Sequence, residues 1–255
     1  MGVNDYGRYC PVAIGSTVLA DRWTPLILRE LVIGSTRFND IARGLPGLSR
    51  SLLSKRLRHL ERHGIVTRWS APGRSTSDYH LTPAGEGLGQ VVVDLGRWAV
   101  QWQYEEIDVE DVEATTLMWW MHRFVQVDGL PAPRLVIQFD HTAPEAVSIW
   151  IVIEEDGASV CMRHPGYEPD AIVRGTTPSF AEIFLGEATW TSAVKSGTVT
   201  IEGPAAVRRR LGQWFLPGPF SHDVRSLHAV DVAEEPHLAG HHLDSDRSSR
   251  AALRS

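Results

Sequence analysis

Between residues 37 and 74 the sequence carries nine basic side chains, Arg37, Arg43, Arg50, Lys55, Arg56, Arg58, Arg62, Arg68 and Arg74, against two acids, Asp40 and Glu61. Guanidinium and ammonium groups at this density suit the neutralisation of phosphates, and hydroxyls set among them can reach base edges. Chemistry of other kinds has little to work with. There is no Gly-rich phosphate loop, no GxSxG and no HExxH, so no nucleophile or metal-hydrolase site is expected, nor any cofactor, and the chain does not read as an enzyme. Asp140, His141 and Glu145 read as turn residues at a strand end rather than an acid and base pair. His237, His241 and His242 lack a Cys or carboxylate framework at zinc-site spacing, so no metal is expected. Cys10 admits two readings, a redox-reactive thiol with Arg8 as its nearest basic neighbour in sequence, or a small buried hydrophobe.

The basic cluster sits on elements that can present it. Leu19, Trp23, Ile27 and Leu31 recur every four residues and describe one buried helix face, with Pro25 in the first turn of a helix starting near Asp21 or Thr24. A short segment at 38–43 follows, then the turn Gly44-Leu45-Pro46-Gly47. Ser49 is placed to N-cap a helix that runs to His63 and is closed by Gly64. On that helix Leu53, Leu57 and Leu60 form an apolar stripe, while Arg50, Ser51, Ser54, Lys55, Arg58 and Arg62 occupy the remainder. Strands at 65–69 and 79–81, joined by a polar loop with Arg74 at its tip, complete a winged-helix order. Thr82-Pro83 then opens a helix on which Leu88, Val91, Leu95, Trp98 and Trp102 form a heptad seam, suited either to a second subunit or to the chain's own domain.

The whole chain has 255 residues and a formal charge of -6, which alone would argue against nucleic acid. Divided after Tyr104, the N-terminal part holds 13 basic and 8 acidic side chains, net +5, and the remainder 12 and 23, net -11. An acidic run, Glu105, Glu106, Asp108, Glu110, Asp111 and Glu113, marks a linker over 105–114. Residues 1–104 therefore read as a DNA-binding and dimerisation domain, with the acidic part held off the duplex by repulsion from phosphates. Residues 115–232 read as a mixed α+β domain, with helices near 115–125, 179–185 and 204–215, and strands near 135–139, 147–153, 171–174 and 198–202. Beyond that the chain turns polar, and a disordered tail is expected over 233–255. No run is long and apolar enough for a membrane span, no signal peptide is legible, and two cysteines fit a reducing compartment, so a cytoplasmic protein is expected.

The segments Cys10-Pro11-Val12, Asp21-Arg22-Trp23-Thr24, Arg37-Phe38-Asn39-Asp40-Ile41, Leu53-Ser54-Lys55-Arg56-Leu57, Tyr79-His80-Leu81-Thr82-Pro83-Ala84-Gly85 and Leu95-Gly96-Arg97-Trp98 resemble, in order, the HxlR family of bacterial transcription regulators. That resemblance implies a winged helix-turn-helix that dimerises through its terminal helices, and the exposed side chains Arg37, Arg50, Ser51, Ser54, Lys55, Arg58 and Arg74 are the candidate contacts to double-stranded DNA. Some family members use a cysteine near the position of Cys10 as a sensor. The second part, through Asp156-Gly157, Pro169-Asp170-Ala171-Ile172-Val173-Arg174-Gly175 and Ser196-Gly197-Thr198-Val199-Thr200-Ile201-Glu202-Gly203, is similar to sterol-carrier domains, layered α+β folds around an apolar cavity. The resemblance implies a hydrophobic small-molecule effector, with Trp119, Trp120, Phe124, Trp150, Phe180, Phe184, Trp190 and Trp214 as candidate lining; plain core is the competing reading of these aromatics. The competing function is a lipid or sterol carrier whose N-terminal domain serves mainly to dimerise it.

Overall fold

The computed structural model describes residues 9–70, 77–104 and 108–233, with side chains of the last helix described as far as Leu227. The first unit runs α1 (Pro11–Leu19), α2 (Trp23–Val32), α3 (Phe38–Arg43), α4 (Arg50–Arg62), β1 (Val66–Trp69), β2 (Asp78–Leu81) and α5 (Pro83–Gln103). Its local signals operate as ordinary caps. Ser49 Oγ accepts from the Leu52 N–H, Thr82 Oγ1 accepts from the Gly85 N–H, and Gly64 takes a positive φ of 67° beyond α4. Strands β1 and β2 pair antiparallel, with Val66 opposite Leu81. Ile27, Leu28, Ile41, Leu53, Leu57 and Leu60 meet with no exposed surface, so the three leucines of α4 pin it to α2 and α3. Ahead of this core, Leu19 lies on a separate helix from Trp23, Ile27 and Leu31. Asp21 interrupts the run, its carboxylate accepting from the Trp23 N–H at 3.0 Å, and α1 buries no residue.

The second unit begins with α6 (Ala114–Met121) and a single 3-10 turn, His122–Phe124. Strands β3 (Arg134–His141), β4 (Val147–Glu154), β5 (Gly157–Cys161), β6 (Ala171–Gly175) and β7 (Val199–Glu202) form one sheet in the order β5-β4-β3-β6-β7. Only the β3–β6 pair is parallel. Helices α7 (Thr177–Leu185), α8 (Trp190–Ser196), α9 (Ala205–Trp214) and α10 (Ser221–Ala233) complete it. Alternation along the strands divides the sheet. Ile149, Ile151 and Ile153 of β4, with Ile137 and Phe139 of β3, enter the core without exposed surface. On the opposite face Trp150 donates to Gln138, while Ser148 and Arg174 both donate to Asp140.

Two helices were not legible in the sequence. α8 has only seven residues, held by a capping box between Thr189 and Ser192 and closed by Gly197 in the left-handed conformation. α10 carries the chain back to the first unit, where Phe220 packs over Gly96 of α5 and Arg97 approaches Asp223 at 3.9 Å. The helical segment therefore extends to Ala233; the expected tail beyond it lies outside the described residues, as do Arg74, Glu105, Glu106, His237, His241 and His242.

His141, expected as a turn residue, is instead a buried ring at the end of β3, its Nδ1 paired with Thr177 Oγ1 at 2.9 Å. Burial lowers its pKa from 6.5 to about 4 against the opposing charge of Asp140, and burial followed by the charge of Arg123 does the same to His122. Above about pH 6.5 both rings are neutral whether folded or unfolded. Below it the unfolded chain takes up protons that the folded chain refuses until about pH 4, so stability falls across that window and levels off beneath it. We expect a loss on the order of 2 kcal/mol per histidine by about pH 5 and about 3 kcal/mol by about pH 4. Urea unfolding at about pH 7 and about pH 5 should show it, and His141→Gln should flatten roughly half of the dependence.

Candidate nucleic-acid interface and small-molecule cleft

With 100° per residue, the side chains of Arg50, Ser54, Arg58, Ser51 and Lys55 span an arc of about 140° on α4, and the leucine stripe lies outside it. All five are exposed or half exposed. Arg50 is held at the entry of the helix, donating to Asn39 Oδ1 at 2.9 Å with its guanidinium 5.9 Å from the Phe38 ring centre, and Arg58 Nε donates to the Ser54 carbonyl. Beside this face lies a cleft of about 460 Å³ lined in part by Arg37, Asn39, Arg68 and Tyr79. It joins α3 to the wing through the Arg37–Asp78 bridge. Arg68 and Asn39 were not singled out from the sequence, although Arg68 stands in the basic cluster; their approach to Arg37 depends on the strand pairing.

Not all nine basic residues serve that face. Arg56 falls about 100° past Lys55 around the helix, beside the leucines, and is ion-paired with Asp21 in a half-buried contact. Arg43 lies 3.5 Å from Asp40 and 5.3 Å from the ring centre of Trp119 in the second unit.

On α5, glycines decide which side packs inward. A Cβ on Gly85 would stand 2.1 Å from the Ile65 carbonyl oxygen, one on Gly89 2.7 Å from Val32, and one on Gly96 2.3 Å from Phe220. These three glycines share a narrow stripe that the chain's own elements cover. The stripe of Val91, Leu95, Trp98 and Trp102 lies about 120° around the helix and is half or more exposed, while Leu88 is half-buried against the first core. Tyr9, Val12 and Ile14, at and just before α1, are exposed as well. Cys10 is the N-cap of α1, half-buried and free of any disulfide.

The eight aromatics of the second unit do not gather around one cavity. Phe180 and Trp190 pack with Phe139 and Phe215 at ring-centre distances of 5.2 to 6.4 Å, and Phe184 meets Phe124 at 5.7 Å. Trp214 is buried under Arg210. These are core fillings. Trp150 lies on the far side of the sheet against His164, because its isoleucine neighbours take the inward positions. Trp119 and Trp120 face the first unit, under Arg43 and Arg29. Of the eight, Trp190 alone borders a cleft of about 760 Å³ between α7, α8, β7 and α9. Ile183, Val194, Ile201 and Phe215 give that cleft an apolar wall, and Lys195, Arg208, Arg209 and Arg225 stand around it, with no acidic residue in its lining among the described residues. Cations on α8 to α10 were hidden from a sequence reading that looked for aromatics.

Among the described residues no group of His, Cys, Asp and Glu side chains is placed to hold a metal, and no helix is long and apolar enough to cross a membrane. Comparison with known proteins matches residues 18–107 to the HxlR-like helix-turn-helix family and residues 133–215 to the SCP-2 sterol transfer family. The chain is 38% identical over 86 residues to YvaP of Bacillus subtilis (strain 168), described as an uncharacterised HTH-type transcriptional regulator, covering 33% of this chain and 80% of that protein. It is 33% identical to YtfH of Escherichia coli (strain K12), described likewise, over 37% of this chain and 76% of that one. Among solved structures, the reduced form of the transcriptional regulator YodB from B. subtilis is 34% identical, with a TM-score of 0.34, over 39% of this chain and 98% of that one. With its helix-turn-helix, wing and layered α+β unit in this order, the chain belongs to the HxlR-like family of helix-turn-helix transcriptional regulators and carries an SCP-2 sterol transfer family domain behind the DNA-binding unit.

Proposed function

We propose that the protein acts as a homodimer whose two α4 helices read half-sites about one helical turn apart, and that an amphiphilic anion in the C-terminal cleft modulates this reading. The observation that carries the proposal is the single polar, basic arc on α4, with the arginines not on that face engaged elsewhere in the fold. Arg50, Lys55 and Arg58 are assigned to DNA, with Ser51 and Ser54 within the same arc and Arg37 and Arg68 flanking it as phosphate contacts. Arg74 is assigned to the same role from the sequence alone. Dimerisation is assigned to the seam of α5 together with α1, because Leu95, Trp98 and Trp102 are half or more exposed in the described residues of one chain. A carrier that used its N-terminal unit only for pairing would leave the α4 arc without a purpose.

The effector reading rests on the 760 Å³ cleft, whose apolar wall suits a hydrocarbon portion and whose four surrounding cations suit a carboxylate or comparable anionic end. A neutral sterol would leave those cations unused. Any effect on DNA requires that the ligand favour one arrangement of the dimer over another.

Replacing Arg50, Lys55 and Arg58 together by Ala should weaken binding to a selected duplex about 100-fold and lower the slope of log affinity against log salt by roughly 2 to 3 units. Arg56→Ala should instead lower the unfolding midpoint and leave that slope unchanged, as read by fluorescence anisotropy across a salt series. Trp98→Glu with Leu95→Glu should yield a monomer in light scattering, because two carboxylates would have to be buried in the seam. Arg208→Glu with Arg209→Glu should abolish a preference for dodecanoate over dodecanol in calorimetric titration; an unmodified protein with no such preference overturns the anionic reading.

A further inference from the structure

Arg123 stands in the 3-10 turn after α6, in the effector-domain half of the chain, yet its guanidinium is spent on the DNA-binding half. Nη1 donates to Ser35 Oγ at 3.0 Å and Nη2 to the Ile33 carbonyl at 2.8 Å, both in the connection between α2 and α3. Ser35 Oγ in turn donates to Glu30 Oε2 at 3.1 Å. Glu30 has no exposed surface, and its other oxygen receives Arg29 Nη2 at 2.8 Å. The same Arg29 nitrogen reaches the Gly44 carbonyl at 2.9 Å, at the turn that leads into α4. Gly44 admits no side chain here, since a Cβ would lie 2.1 Å from the Glu30 carboxylate. The face of Trp120 lies 5.0 Å from the Arg29 guanidinium.

The residues following Arg123 meet Trp214 and Phe215 at the end of α9, the second of which borders the cleft. Val125 bridges Phe215, the Gln126 N–H donates to the Trp214 carbonyl at 2.7 Å, and Phe215 borders the cleft of about 760 Å³. The path from the cleft wall to the turn of the helix-turn-helix thus runs Phe215, Val125, Phe124, Arg123, Ser35, Glu30, Arg29 and Gly44, through chain neighbours, hydrogen bonds and one buried carboxylate.

We propose that Arg123 is a positioning residue for DNA recognition, holding the turn before α4 through Ser35, Glu30 and Arg29 and thereby tying the reading helix to the wall of the effector cleft. The inference rests on DNA reading by α4. An arginine suits the task because its fork engages a hydroxyl and a carbonyl at once, which a lysine ammonium does with less geometric definition. Arg123 does not touch the DNA-facing arc, so its influence passes through the turn alone.

The test uses the full chain and a duplex that the unmodified protein selects from a random pool. Arg123→Gln and Ser35→Ala should each weaken binding about tenfold, with the double variant no weaker than the weaker single one, and with the salt slope unchanged. Arg123→Lys should recover part of the loss. In the DNA-free protein, hydrogen exchange at the Gly44, Leu45 and Leu48 amides, which close the turn through bonds to Asp40, Ala42 and Leu45, should quicken about tenfold in both single variants. Affinities within twofold of the unmodified protein, additive losses, a reduced salt slope or unchanged exchange would each overturn the proposal. Should the unmodified chain select no duplex, the DNA reading fails, and exchange alone still decides whether Arg123 holds the turn.

Discussion

A carboxylate removed entirely from water, that of Glu30, organises the DNA-binding unit and its junction with the second one. An ion so placed is tolerable only when its oxygens are paired, and breaking such an arrangement from one side costs about 3–5 kcal/mol. Glu30 meets this demand with Arg29 on one oxygen and Ser35 on the other, and Gly44 packs against it where no other residue would fit. The three partners come from α2, from the α2–α3 connection and from the end of α3. Satisfying one charge therefore sets the angles of the helices that present α4, and Arg123 adds the second unit to the same network.

The second unit separates packing from binding. Its densest aromatic contacts, around Phe139, Phe180 and Phe215, stabilise the sheet against its helices, and of these three rings Phe215 also borders the cleft. Open volume lies instead at the edge, where short α8 and the arginine-bearing α9 approach β7. Tyr104, at the end of α5, donates to Glu187 after α7; burial, followed by that hydrogen bond, raises its pKa, so it stays a donor there. Together with Phe220 over Gly96, this contact fastens the long helix α5 to the domain that bears the cleft.

Much of the DNA-binding unit was legible from the sequence because its signals are local. Ser49, Gly64, Thr82 and Pro83 mark helix ends by the chemistry of unpaired backbone groups, and Leu53, Leu57 and Leu60 reveal the inner side of α4 by spacing alone. Helical geometry even carries the separation of Arg56 from the other basic residues, although a count of charges conceals it. The seam of α5 was legible as a stripe, while the exposure of Val91, Leu95, Trp98 and Trp102 was not, since that depends on the glycines meeting Ile65, Val32 and Phe220. Trp150 illustrates a reading that considered residue type before strand alternation.

The sequence by itself determined the order and type of the main elements, the polarity of α4 and the contrast between a basic first part and an acidic second part, all of which depend on neighbours within a few turns or strands. Tertiary structure alone decided which tryptophans fill the core, which one borders the cleft and which two face the arginines of the other unit. It also placed Arg123 on Ser35, 88 residues away in sequence. The physical reason is that hydrophobic burial and capping act along the chain with fixed periods. Cleft lining and buried-charge pairing depend instead on the distance between segments, which no local pattern encodes.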